Sequence, residues 1–333
     1  MVINRKTKVL FFSTSPYDPE QFKTFMRDKL DISFYKPNTK QKIKDIEKTH
    51  IVIGDWFTKT MLRKAKNLKY FFIPYSGIPP KLIDILKEKK ELIVSNTHYN
   101  ADFVAEHAFS LMLTLARKTI YLDQCMRCDQ IPHIKVKKTN LFSLREKKLA
   151  ILGYGYIGRS IEKKAKVFGM KPLIYHKQKS ICTDMLSNEK KQKKELKLIL
   201  SKSDFIVVCL PLTEKTRGLI GENEFKLIKP SAYIINVSRG EIIQEKALYN
   251  ALKNNTIAGA GIDTWYNYTT KISATKQLYN YPFNKLKNIV MSPHIAYRSD
   301  LLETCRTNSI KKYLTRVIME KKVENIIDLK RGY

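Results

Sequence analysis

Six consecutive residues constrain this chain more than any others: Gly153, Tyr154, Gly155, Tyr156, Ile157 and Gly158. A G-x-G-x-x-G spacing alone is weak evidence, because glycine turns are common. Here it follows the apolar run 148–152 (KLAIL) directly and opens an amphipathic stretch that reaches Phe168. Strand, tight glycine turn and helix in that order form a phosphate-binding unit. The first glycine permits the turn, the second lets the backbone approach a pyrophosphate, and the third lets helix and strand pack closely. The helix start then offers unpaired N–H groups and a positive dipole end to anions. All six residues are therefore expected at a bound dinucleotide, on a Rossmann-type domain.

The remainder of the 333 residues alternates in the same manner. Short apolar runs at 8–13, 50–55, 69–73 and 92–95 are separated by helix-like segments at 21–30, 59–66 and 81–89. A second block supplies strands at 148–153, 170–176, 205–210, 233–237, 259–263 and 288–292. Such alternation predicts an α/β chain with parallel sheets, and the length suits about two domains. Residues 101–118 differ. They are apolar on nearly every side from Phe103 to Ala116, which predicts a helix buried all round, between two domains or two subunits, with Asn100 as its N-cap. Residues 299–318 read as a final helix, and 182–197 as the least structured stretch by composition.

The formal charge of +31 raises the question of a nucleic-acid partner. Most of the 62 basic residues are Lys, spread along the chain, with clusters at 135–138 and 190–197 that read as solvated faces. Arg is the residue suited to bidentate phosphate and base contacts, so no specific nucleic-acid role is expected. The charge should still draw in anionic substrates and cofactors. No apolar run approaches the ~20 residues that span a bilayer. The N-terminus lacks the pattern of a secretory signal, so a cytoplasmic protein without a membrane role is expected. Five cysteines do not form a disulfide framework. Cys125 and Cys128 make a lone C-x-x-C near His133, and with no second pair a zinc site is not expected; no metal is.

The strand after a dinucleotide turn should end in a residue that reads the ribose, usually Asp or Glu in NAD enzymes. Here it ends in Tyr175 and His176, followed by Lys177 and Lys179. No carboxylate is present to repel a 2′-phosphate. His176 and Lys177 therefore point modestly to NADP(H) ahead of NAD(H). An ordinary strand end in a chain that uses NAD(H) is the alternative.

Three further stretches carry a resemblance. They are 209–220 (CLPLTEKTRGLI), 235–240 (INVSRG) and 292–295 (SPHI). With the glycine turn and 261–263 (GID), their order and spacing resemble the D-isomer-specific 2-hydroxyacid dehydrogenases, over roughly residues 69–297. The resemblance implies a Rossmann NAD(P)-binding domain at 100–297. A flavodoxin-like α/β substrate domain would be made of 1–99 and 298–333, the chain crossing twice between them with the active site in the cleft. It also implies a homodimer with the 101–118 helix at the interface. The implied reaction is hydride transfer between NAD(P)H and a small 2-oxo acid of the glyoxylate or hydroxypyruvate kind, giving a D-2-hydroxy acid.

The same resemblance assigns roles. Arg239 would grip the substrate carboxylate and polarise the 2-oxo group, work that suits a planar guanidinium. His294 would be the acid/base. Tyr75, Ser76 and Gly77, with Ile78, match the loop whose backbone N–H groups bind the carboxylate. Leu210, Pro211, Thr216, Val237, Ser238 and Asp263 match cofactor-contact positions, which Arg239 and His294 adjoin. Trp56 and Tyr297 are candidates for the substrate wall. One position departs from the family pattern. The Glu that partners the histidine falls at Tyr268, and no Asp or Glu occurs between Asp263 and His294. Tyr268 would then stand beside the catalytic imidazole without the charge that favours its protonation. Two other readings remain open: a non-catalytic dinucleotide-sensing protein on the same scaffold, and a formate-dehydrogenase-like oxidoreductase, whose branch carries an amide at that position.

Overall fold

The computed structural model describes residues 6–12, 20–35, 46–128, 140–176, 189–268 and 278–330. The chain divides into two compact units, Met1–Asn100 with Ser299–Tyr333, and Ala101–Arg298.

The first unit is built on five parallel strands: β1 (Thr7–Phe12), β2 (Leu30–Tyr35), β3 (Ile51–Gly54), β4 (Tyr70–Ile73) and β5 (Ile93–Asn96), in the order β2-β1-β3-β4-β5. That is the flavodoxin-like order. The strands are short apolar runs because both faces are covered. Leu10, Phe12, Val52, Phe71, Ile73 and Val94 face one side. There they pack with Met61 and Leu62 of α2 (Lys59–Lys64) and Leu82 and Leu86 of α3 (Pro80–Leu86). Val9, Phe11, Ile51, Ile53 and Phe72 face the other, against Ile310, Tyr313 and Leu314 of the C-terminal helix, Leu302–Ile318. The tail beyond that helix returns to β5, where Asn96 N–H donates to the Asn325 carbonyl and Ile327 N–H to that of Val94. The two ends of the chain thus form one core.

The expected helix at 21–30 is a correction. Only Glu20–Lys23, α1, is helical; turns follow, with Met26 at φ +50°. Leu30–Tyr35, unanticipated, is the strand β2 paired to β1 from Thr7↔Leu30 to Phe12↔Tyr35. Its half-buried edge position gave little apolar signal in the sequence.

The second unit has six parallel strands: β6 (Lys148–Leu152), β7 (Lys171–Tyr175), β8 (Phe205–Val208), β9 (Tyr233–Asn236), β10 (Gly259–Ile262) and β11 (Ile289–Met291). Their order is β11-β10-β9-β8-β6-β7. The order reverses beside β6, so the glycine turn after β6 lies at the switch point where such sheets bind ligands. Strand residues alternate between two cores. Ala150, Leu152, Ile206, Val208 and Ile234 pack against one helical layer, and Leu149, Ile151, Phe205, Val207 and Ile235 against the other.

That second layer contains α4 (Ala101–Arg117), followed by α5 (Thr119–Arg127), with α6 (Tyr156–Val167) beside α4. The expectation that α4 is buried all round needs correction. Val104, Ala108, Leu111, Met112 and Leu115 are buried, whereas Asp102, Glu106 and Ser110 form an exposed stripe, and Asp102 pairs with Lys164 at 3.1 Å. Asn100 does not cap α4; its side-chain oxygen accepts the Ser76 hydroxyl at 2.6 Å. The stretch 182–197 is also corrected in part. Glu189–Lys202 is a helix, α7, which seats Leu196, Ile199 and Leu200 in the sheet core. Residues 177–188 lie outside the described residues, as do His133 and the 135–138 cluster. After α7 come the short α8 (Glu222–Phe225) and α9 (Glu245–Lys253), and the C-terminal helix is α10. Among the described residues no helix is long and apolar enough to cross a membrane.

The glycines of the turn separate stability from ligand space. A Cβ on Gly158 would stand 2.2 Å from the Gly153 carbonyl oxygen, while one on Gly155 would meet nothing within 4 Å. Gly158→Ala should lower the unfolding free energy by about 1–3 kcal/mol, and Gly155→Ala should leave it nearly unchanged. Urea titrations of both variants check this.

Candidate active site

The glycine turn is held from both sides. Gly153, at φ +108°, donates its N–H to the Tyr175 carbonyl at 3.0 Å and accepts the Cys209 thiol at 3.0 Å. Burial pushes that thiol up to about 12, so Cys209 is not a nucleophile at neutral pH. Gly155 is the N-cap of α6 and brings no side chain to it. The open space over Gly155, beside a helix N-terminus, is the cradle a diphosphate needs. Tyr154 donates its hydroxyl to Glu162, and its ring meets the His176 ring edge-on at 6.3 Å. The Arg159 guanidinium lies 5.7 Å from the Tyr154 ring centre and 5.9 Å from that of Tyr156. Ile157 is half-buried on the first turn. His176 ends β7 with no acidic residue at the strand end; Lys177 is outside the described residues.

Two loops follow at the carboxyl ends of the strands. After β8, the Thr216 hydroxyl donates to the Pro211 carbonyl at 2.6 Å and accepts the Thr213 N–H at 2.8 Å, closing that loop. The Leu210 carbonyl accepts the Ser238 hydroxyl, which ties this loop to the next. After β9 and the buried Val237, Asn236 folds the chain: its carboxamide accepts the Ser238 N–H at 3.1 Å and donates to the Arg239 carbonyl at 3.0 Å. The half-buried Arg239 donates to the Ser238 carbonyl at 2.7 Å. Burial pulls its pKa down, with Tyr268 and Glu241 opposing. Gly240 comes next because a Cβ there would stand 2.3 Å from the Trp265 carbonyl oxygen.

The third loop carries His294, and Asp263 holds it. This carboxylate is wholly buried at the end of β10. One oxygen accepts the Ser292 hydroxyl at 2.6 Å and the Ile295 N–H at 3.0 Å; the other accepts the Ala296 N–H at 3.1 Å. His107, from α4, places Nε2 at 2.8 Å from the Ser292 hydroxyl and 3.5 Å from Asp263. The Trp265 indole donates to the Ser292 carbonyl at 2.9 Å. Inside this clamp His294 takes φ +57°. Backbone strain of that kind, on the order of 1–3 kcal/mol, persists where the surroundings over-determine it, typically at functional sites.

The His294 ring sits 5.1 Å from the Tyr268 ring and 6.3 Å from that of Tyr297. Among the described residues no hydrogen bond reaches either of its nitrogens. Tyr268 does not take over the bond expected of a carboxylate there. Its hydroxyl oxygen accepts the Trp265 backbone N–H at 2.7 Å. Burial holds the His294 pKa below the ordinary imidazole value, Arg239 adds to the depression, and Asp263 opposes it. Burial raises that of Tyr268, so its phenol stays neutral. Arg239 is thus close enough to both Tyr268 and His294 to bias their charge.

The remaining candidates belong to the first unit. Tyr75 has the Arg306 guanidinium 5.1 Å over its ring. The Ser76 carbonyl accepts Asn96 Nδ2 at 2.9 Å, and Gly77 is half-buried. Trp56 packs 6.2 Å from Phe12. The Arg306 side chain is almost wholly buried and donates to the Tyr99 hydroxyl at 3.0 Å. His107, Trp265 and Arg306 escaped sequence reasoning. A half-buried polar residue among the apolar positions of α4 was the signal for His107. The described residues contain no cluster of metal ligands.

Comparison with known proteins identifies the family. Residues 109–296 match the family described as D-isomer specific 2-hydroxyacid dehydrogenase, NAD binding domain. A glyoxylate reductase of Thermococcus litoralis is 34% identical over 262 residues, covering 77% of this chain and 75% of that protein. An acyclic imino acid reductase, solved with NADPH and D-Arg, matches with a TM-score of 0.76 at 27% identity, over 96% of this chain and 100% of the other. D-lactate dehydrogenase from Aquifex aeolicus, solved with NAD and lactic acid, shares the fold with a TM-score of 0.70 at 23% identity, over 93% and 96%.

The titration of His294 gives a test. An acid role for His294 in carbonyl reduction would need the imidazolium, which exists below its pKa and is lost as pH rises through it. With that pKa lowered, kcat/KM for reduction should fall away below the ordinary histidine value of about 6.5. Tyr268→Glu adds an opposite charge and should move this limb upward by roughly one pH unit. A limb that stays put in the variant would show that position 268 does not tune the imidazole.

Proposed function

The chain belongs to the D-isomer-specific 2-hydroxyacid dehydrogenases, and from that membership we propose that it interconverts a small 2-oxo acid and its D-2-hydroxy acid with NAD(P)H. The observation that carries the assignment is the Asp263 clamp, which presents His294 in a strained turn electrostatically coupled to Arg239. A scaffold kept only for sensing a dinucleotide has no use for that arrangement.

When bound, the reduced nicotinamide supplies hydride to the substrate carbon. Gly155 clears the backbone for the diphosphate, with Gly153 making the turn and Gly158 the close helix packing, and Pro211, Thr216, Val237, Ser238 and Asp263 shape the loops around the rest of the cofactor. Arg239 binds the substrate carboxylate and draws electron density from the 2-oxo group. His294 donates a proton to the carbonyl oxygen as the alkoxide develops, and removes it in the oxidative direction. Substrates of the glyoxylate or hydroxypyruvate kind are favoured by the likeness to the glyoxylate reductase. NADP(H) is preferred, because His176 ends β7 without a carboxylate and Arg159 stands over Tyr154. The protein works as a homodimer; α5, none of whose residues is buried, leaves Ile120, Tyr121 and Met126 about half-exposed for a second copy to cover.

Loss of nicotinamide absorbance with a panel of 2-oxo acids tests the function. His294→Ala should lower kcat by about 10²–10⁴-fold, and Arg239→Ala should raise KM as well. His176→Asp should shift the preference from NADPH toward NADH. Tight cofactor binding without turnover of any acid would overturn the assignment in favour of a sensor.

A further inference from the structure

We propose that this same site also reduces protonated 2-imino acids, formed when a 2-oxo acid condenses with ammonia or a primary amine, to the corresponding amino acids. The inference rests on the reading of the site as a 2-oxo acid reductase and names a second substrate class for it.

The two electrophiles ask different things of the histidine. Hydride addition to C=O leaves an alkoxide, which must take a proton from a general acid. Hydride addition to C=NH₂⁺ moves the π pair onto nitrogen and leaves a neutral amine, so no proton is transferred in that step. The reductant is the same reduced nicotinamide, and the amine later takes its proton from water. An imidazolium next to an iminium is repulsive, whereas a neutral imidazole can accept its N–H. What disables the imidazole as an acid therefore suits it as an acceptor.

The groups facing His294 favour the second case. Tyr268 replaces a carboxylate, and its hydroxyl oxygen is already bonded to the Trp265 N–H at 2.7 Å. Among the described residues no hydrogen bond reaches either ring nitrogen of His294. Arg239 is a cation, but a bound substrate carboxylate cancels its charge. The buried Asp263 carboxylate supplies a negative field at the imidazole, and Glu241 adds to it at Tyr268 and Arg239. The half-exposed Tyr268 ring and the exposed Tyr297 ring flank the histidine at 5.1 and 6.3 Å.

The test compares pyruvate alone with pyruvate plus methylamine, both with NADPH, near pH 8.5, with products identified by mass spectrometry. Amine should raise the rate of NADPH loss by about tenfold or more, as expected where His294 is at least one unit above its pKa, and N-methylalanine should be the main product. His294→Asn is the diagnostic variant. Asn tolerates the φ +57° backbone, and its amide can accept an N–H but cannot act as an acid. It should lose lactate formation by about 10²–10⁴-fold and retain amine-dependent reduction within about tenfold. Binding of NADPH, followed by its fluorescence, verifies that the variant is folded. Lactate as the sole product at every amine concentration would overturn the inference and leave the oxo acid reductase intact. So would equal loss of both activities in the variant. No reduction of either substrate, with NADPH bound, would overturn both.

Discussion

A carboxylate cannot be buried without donors to meet it, and Asp263 fulfils that requirement in the way that organises the site. Two backbone N–H groups and the Ser292 hydroxyl converge on it, with His107 at its edge. Hydrogen bonds to a charged group are worth more than neutral ones, and losing one partner leaves an expensive buried charge. The turn of residues 292–296 is therefore not free to relax. Its central residue is His294, whose backbone conformation is unfavourable for an L-amino acid. The burial of one acidic side chain thus fixes where the imidazole stands, without any bond to the imidazole itself.

Close approach of backbones does the rest. Loops at the carboxyl ends of β6 and β8, and of β9 and β10, come within van der Waals distance of one another. Gly240 lies against the Trp265 carbonyl, and Gly153 against Cys209. On the far side of the sheet, a Cβ at Gly261 would stand 2.9 Å from Leu111 Cβ, so α4 settles directly on β10. That seating is also what delivers His107 to Asp263. Helix packing in the core and hydrogen bonding at the site are in this sense one arrangement.

The sequence disclosed what depends on local pattern. Short apolar runs marked the strands of both sheets because both faces are covered. The G-x-G-x-x-G turn was legible because each glycine has its own steric reason. Arg239 and His294 stood out as candidates through the motifs around them. Features that depend on tertiary partners were not. β2 is an edge strand with mixed burial, so its composition resembles a loop. α4 looked apolar all round, yet Asp102, Glu106 and Ser110, four apart and so on one face, form an exposed stripe that the apolar reading passed over. Tyr268 was recognisable as a substitution, but nothing in one dimension said that its hydroxyl would turn to the Trp265 backbone.

That last contact decides the electrostatics. A tyrosine hydrogen-bonded to the imidazole could still have oriented it and chosen its tautomer. Bonded instead to the peptide three residues back, it contributes a ring and no polar partner. The nearby full charges are then Arg239, which repels a proton on His294, and Asp263, whose oxygens are spent on the turn. Burial acts in the same direction as Arg239. Restoring a carboxylate at 268 alone would add charge without removing the constraint on the backbone, so geometry and proton affinity are set by different residues. Evolution of such a site can alter the second while leaving the first untouched, since the Asp263 clamp needs nothing from position 268.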